Sequence, residues 1–271
     1  MIGKRIGAAL TIVAALAACS SRAPASQTPA APTTAQTQVG EPGYVQVDRF
    51  PHDTGAFTQG LAFRGRKLFE GTGLEGRSSL RRVELQTGNV LRQVDLADQY
   101  FGEGITIFDR RIYQLTWQSG NCFVYDLKTF ERVRRFGYEG EGWGLTHNGR
   151  RLIMSDGTAT IRFRNPATFE VVREIEVTDG GEPVVNLNEL EWIDGEIFAN
   201  VWQTDHVVRI DPASGEVVGR LDLTALHQQE EAEGDPDVTN GIAYMKVEDR
   251  LFVTGKLWGH VYEIELTDLV P

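Results

Sequence analysis

A short motif recurs five times along the chain, and it restricts the fold more than any other feature. The copies are Gln59-Gly60-Leu61, Glu103-Gly104-Ile105, Trp143-Gly144-Leu145, Asn188-Glu189-Leu190 and Asn240-Gly241-Ile242, spaced 44, 40, 45 and 52 residues apart. After each comes a short apolar segment, a polar turn such as Asn148-Gly149-Arg150, and a second apolar segment such as Arg111-Ile112-Tyr113 or Arg250-Leu251-Phe252. A third segment alternates, as in Val207-Val208-Arg209-Ile210-Asp211, with the period of a half-buried strand. Turns such as Asp211-Pro212-Ala213-Ser214-Gly215 then lead to a fourth alternating stretch: Leu91 to Leu96, Val133 to Phe136, Val171 to Val177 and Val217 to Leu223. Four short strands recurring at this spacing predict an all-β fold, a five-bladed β-propeller.

The fifth repeat runs out of chain after its third strand. The alternation of Tyr44-Val45-Gln46-Val47-Asp48 matches the other fourth strands, so this N-terminal strand is expected to close the last blade. Closure by strand exchange hides the edges that an open array would expose. A solenoid, the competing fold, would need capping ends that the sequence lacks.

Ahead of that strand, Lys4 and Arg5 precede an apolar run from Ile6 to Ala18, too short to span a membrane, and the whole reads as a secretory signal over residues 1–18. Leu16-Ala17-Ala18-Cys19 resembles a bacterial lipobox, which makes Cys19 the expected acylated residue of a lipid-anchored envelope protein in the periplasm, at the outer membrane. Residues 19–42, mostly Ser, Ala, Pro, Thr and Gln, are too poor in large apolar side chains to order themselves and read as a flexible tether. The propeller domain is therefore placed at 43–271. With Cys19 lipidated, Cys122 is the remaining thiol and the fold has no internal disulfide. The net charge of −11, with both signs interspersed and no basic stripe, argues against nucleic acid as a partner. A monomer touching the membrane through its anchor alone is expected.

In a propeller the first strand of each blade lines the channel, so the repeat puts Gln59, Glu103, Trp143, Asn188 and Asn240 at comparable depth around one axis. That ring holds one carboxylate, three carboxamides and an indole where ordinary packing favours small or apolar residues. Fourteen residues beyond the first four anchors stand Gly73, Trp117, Gly157 and Trp202, and sixteen beyond the fifth stands Lys256. These positions end the second strands and aim indoles and an ammonium at the same mouth, the pattern of a concave site with a few convergent polar groups. The five histidines show no metal-ligand spacing, so no metal and no cofactor is expected. The run from Glu230 to Asp237 reads as a solvated loop rather than a calcium site.

At these residues the sequence resembles the plant-like and bacterial glutaminyl cyclotransferase family, from Phe50 to Glu265. The stretches that carry the likeness include Phe57-Thr58-Gln59-Gly60-Leu61, Phe69-Glu70-Gly71-Thr72-Gly73-Leu74, Phe101-Gly102-Glu103-Gly104, Gly142-Trp143-Gly144-Leu145, Leu187-Asn188-Glu189-Leu190-Glu191, Asn200-Val201-Trp202 and Thr254-Gly255-Lys256-Leu257-Trp258. The resemblance implies a metal-independent enzyme that closes the N-terminal glutamine of a peptide or protein to pyroglutamate and releases ammonia. Its site residues would be Phe57, Gln59, Phe101, Glu103, Trp117, Trp143, Asn188, Trp202 and Lys256. Thr239, Gly259 and Gly71 depart from the family pattern and bear on substrate preference.

For that chemistry Glu103 is the expected proton shuttle, and Lys256, Gln59 and Asn188 are expected to polarise the carboxamide. The aromatic residues would box in the glutaminyl side chain. Glu70, beside the site in sequence, is the other candidate acid and is given a supporting role in substrate binding. A non-catalytic propeller that binds a peptide or envelope ligand is the alternative, and it has no need of Glu103 and Lys256 in one pocket. A calcium-centred lactonase would need several axial carboxylates where the anchor ring supplies one.

Overall fold

The computed structural model describes residues 43–267; the expected signal, Cys19 and nearly all of the tether lie outside them. Five four-stranded antiparallel sheets are arranged as a propeller. Their innermost strands are Thr58–Arg64, Gly102–Phe108, Leu145–His147, Leu187–Ile193 and Thr239–Met245. Each inner strand packs against the inner strands of both neighbouring blades, the fifth against the first, so the ring is closed. In the first four blades the chain runs from the innermost strand outwards in sequence order.

Closure follows the expected exchange. Tyr44–Pro51 pairs antiparallel with His260–Leu266, from Tyr44 opposite Leu266 to Pro51 opposite His260, as the outermost strand of the fifth blade. Between blades the core is built from facing apolar rows: Phe69 and Leu80 of the first blade meet Ile105, Ile112 and Phe123 of the second, all with 2% exposure or less. Burying one such side chain contributes about 1.5–3 kcal/mol, enough in sum to hold a ring that has no disulfide. Cys122, the free thiol among the described residues, is buried in this way.

The motif glycines are there because the inner strands approach backbone to backbone. A Cβ on Gly60 would lie 2.4 Å from the amide nitrogen of Ile105, and one on Gly144 would lie 1.9 Å from the carbonyl oxygen of Asn188. The fourth blade carries Glu189 instead of glycine. Fully buried, its carboxylate accepts hydrogen bonds from the backbone N–H of Leu61 (3.3 Å) and of Ile242 (2.9 Å), so it fills the channel between blades one, four and five.

One expectation needs correction. Residues 224–233 form an α-helix, so the first half of the acidic run is not a loop. Glu230 is buried beneath it and accepts hydrogen bonds from Tyr262 Oη (2.6 Å) and the Gly259 N–H (2.6 Å), with His260 Nδ1 at 2.8 Å. The extra length of the last repeat interval holds this helix. Among the described residues no helix is long and apolar enough to cross a membrane.

Candidate active site

Four of the five anchors lie at β-bulges of their inner strands, between Thr58 and Gly60, Gly102 and Ile105, Leu187 and Leu190, and Thr239 and Ile242. A bulge breaks the strict alternation of a strand and re-aims one side chain. Here Gln59, Glu103 and Asn188 turn into a cavity of about 350 Å³ at one end of the channel. Trp143 precedes its strand, tied by hydrogen bonds between its N–H and the Ser155 carbonyl and between the Ser155 N–H and the Gly144 carbonyl.

The cavity is lined by all nine residues singled out above: Phe57, Gln59, Phe101, Glu103, Trp117, Trp143, Asn188, Trp202 and Lys256. Trp117, Trp202 and Lys256 each follow directly on the end of a second strand. The two glycines at the equivalent positions are seats for rings. A Cβ on Gly73 would stand 2.4 Å from the ring of Phe101, and one on Gly157 would stand 2.6 Å from the indole of Trp143. Edge-to-face contacts link Phe57 to Phe101 (6.1 Å between centroids), Phe101 to Trp117 (5.6 Å) and Trp143 to Trp202 (5.4 Å).

Asn240 does not reach the cavity. Its Nδ2 donates to the Thr58 carbonyl (2.9 Å) and to Gln59 Oε1 (3.3 Å), which turns the Gln59 amide so that Nε2 donates to Glu103 Oε1 (3.1 Å). One amide hydrogen of Gln59 is spent on Glu103, and the other remains for a ligand. Asn188 is 3% exposed, and its Oδ1 has no partner within the protein. A buried acceptor left unmade is costly, so it is poised for a donor from outside. Burial holds the Glu103 carboxyl well above the usual carboxylate range; Lys256 opposes that shift and Glu141 reinforces it. Burial likewise draws the Lys256 ammonium down, opposed by Glu103 and Asp237, and its Nζ lies 4.8 Å from the centre of the Phe57 ring.

Glu70, expected to support substrate binding, does not line the cavity. It lies behind it, where its Oε1 accepts from Thr58 Oγ1 (2.8 Å) and sits 3.0 Å from His52 Nε2, with Arg81 at 3.8 Å. The other imidazole nitrogen of His52 faces the Trp258 carbonyl at 2.9 Å, so Nδ1 donates there and Nε2 is left to face Glu70. Burial opposes both charges, but the pairing outweighs it, raising His52 and lowering Glu70. Glu70 is thus a buried strut and not a titrating acid. The lining also includes Gln203, Asp237 and Val238, which lie on the connections outside the repeat and gave no periodic signal.

The sequence model of the glutamine cyclotransferase family matches residues 11–266. The chain belongs to that family. It is 44% identical over 224 residues to the glutaminyl-peptide cyclotransferase of Arabidopsis thaliana, covering 81% of this chain and 70% of that protein. The crystal structure of Myxococcus xanthus glutaminyl cyclase superposes with a TM-score of 0.80 at 37% identity, over 84% of this chain and 97% of the other. The five-bladed propeller is therefore the fold of a cyclotransferase.

A second, larger cavity of about 460 Å³ opens at the other end of the channel, among the C-terminal ends of the inner strands. Glu191 stands there, accepting from Thr146 Oγ1 (3.0 Å) and the Tyr244 N–H (3.0 Å), and burial pushes its carboxyl up to about 7. Its lining includes Arg64 and Lys246 as well as Glu191 and Asp194. Size is outweighed by placement: the whole anchor site lies at the opposite end, beyond the buried Glu189. Among the described residues no group of side chains is arranged to hold a metal ion.

Proposed function

We propose that this cyclotransferase converts N-terminal glutaminyl residues of peptides to pyroglutamate in the aromatic cage, with Glu103 carrying the proton. The observation that bears the reading is the Glu103 carboxyl, buried and held above its ordinary range, bonded to Gln59 within a ring of aromatic side chains that also admits Lys256. In the reaction the substrate's α-amine nitrogen bonds to its own side-chain carbonyl carbon, and the bond from that carbon to the amide nitrogen breaks. Both partners belong to one residue, so holding the side chain folded back supplies much of the rate as a proximity effect. Phe57, Phe101, Trp117, Trp143 and Trp202 suit that task.

The amine is an ammonium in part at neutral pH, since its ordinary pKa is about 7.7–8.0. A carboxylate whose proton affinity is raised by burial takes the proton more readily than an exposed one. Glu103 therefore accepts a proton from the amine and returns it to the amide nitrogen, which leaves as ammonia. Negative charge develops on the carbonyl oxygen as the ring closes. Lys256, the free amide hydrogen of Gln59 and the amide of Asn188 are placed to stabilise it, and losing one such donor typically lowers turnover 10²–10³-fold. Cys19, in the lipobox-like sequence, supports a lipid anchor holding the domain at the bacterial envelope.

The test is release of ammonia from a dipeptide beginning with glutamine, followed with the purified domain. Conversion to the pyroglutamyl product is expected. A folded domain that leaves a panel of such peptides unchanged sinks the reading.

A further inference from the structure

The cage is built as two aromatic runs from different blades. Phe57, Phe101 and Trp117 form one and Trp143 and Trp202 the other, each joined internally by edge-to-face contacts. Between the runs stands Glu141, on the connection into the third blade. Its Oε2 accepts hydrogen bonds from both indoles, Trp117 Nε1 at 2.6 Å and Trp143 Nε1 at 2.8 Å, while its Oε1 accepts from Gln118 Nε2 at 3.0 Å. Glu141 forms no salt bridge among the described residues, and these three donors are its side-chain hydrogen-bond partners. Such charge-assisted bonds are about twice as strong as neutral ones. Trp117 is 36% exposed, so packing covers its indole only in part.

We infer that Glu141 is a positioning residue for the cyclisation: it locks the two halves of the aromatic cage together through one carboxylate oxygen. The three donors hold Glu141 ionised against the effect of burial. Ionised, it reinforces the burial that raises Glu103. The other groups facing Glu103 are Lys256, which opposes that shift, and the phenol of Tyr138; Asp156, paired with Arg162, faces Glu141. The inference rests on the proposed reaction.

Two substitutions separate geometry from charge. Glu141→Ala frees both indoles, and a cage misplaced by an ångström lowers kcat roughly 10- to 100-fold, with KM raised as well. Glu141→Gln keeps a carbonyl oxygen for the two indoles, Gln118 turning its amide to match. It retains kcat near the parent value. A folded Glu141→Ala enzyme with parental kcat and KM overturns the inference, as does a Glu141→Gln enzyme that loses turnover as the alanine variant does. If the alanine variant does not fold, the kcat of the glutamine variant, expected near the parent value, decides alone. Failure of the parent enzyme to release ammonia would instead strike the reaction itself.

Discussion

Gly73→Ala isolates the cage from the rest of the fold. The backbone at this position accepts an alanine, and the Gly73 N–H already donates to the Phe57 carbonyl at 2.8 Å. The added methyl would stand 2.4 and 2.8 Å from two ring carbons of Phe101 and 3.0 Å from the Gln59 side chain. Carbon atoms in contact sit about 3.5–4.0 Å apart, so the Phe101 ring must retreat by about 1 Å. That ring touches both Phe57 and Trp117, and the shift propagates along one half of the cage. A displacement of this size costs up to about 10²-fold in rate. Overpacking by one methyl destabilises by about 1–3 kcal/mol, a melting shift of a few degrees in a domain of this size. The assay is kcat/KM for ammonia release from a glutaminyl dipeptide, set beside a thermal melt. A loss of tenfold or more with the fold retained is expected; parental activity would mean that Phe101 does not shape the reacting side chain.

Further outcomes are expected elsewhere in the molecule. Glu191 keeps its proton to about pH 7 in the fold, against about 4.5 in the unfolded chain, so between those values the native state binds more protons and stability falls as pH rises. Glu191→Gln removes up to about 3 kcal/mol of that loss, an upper bound because the residue is partly open to the far cavity. Melts from pH 5 to pH 8 should show a flatter decline for the variant, and parallel curves would refute the assignment. His52→Ala leaves Glu70 buried without its main partner and should destabilise by several kcal/mol in denaturant titrations; a neutral effect would deny Glu70 its role as a strut. Ammonia release should persist unchanged in excess chelator, and its loss with recovery on adding metal would contradict metal-independent chemistry.

The parts of this architecture that repeat could be read from the sequence. Five blades facing one axis need the same backbone approach at the same depth, so Gly60, Gly104 and Gly144 recur with Gln59, Glu103 and Trp143 ahead of them. The count of strands left the last blade one short, which pointed to Tyr44–Asp48 as the missing strand, and Tyr44–Pro51 fills that place in the fold. What does not repeat was hidden. The helix at Thr224–Glu233 has no side-chain N-cap and a polar surface, and it is held by Leu226 and the buried Glu230, a tertiary cause that no local pattern announces. Glu70 was misplaced because it belongs to a stretch that carries the family likeness, while in the fold it pairs with His52 behind the cavity. Glu141 was missed because its role arises only where indoles of two blades converge on one oxygen.

The central claim is that one carboxyl carries the proton inside the cage. Glu103→Gln keeps the shape of the side chain and its bond from Gln59 while removing the titrating group. Ammonia release by this variant, measured against the parent with matching melts, should fall to near background. A folded Glu103→Gln enzyme that turns over at the parent's rate would contradict the account.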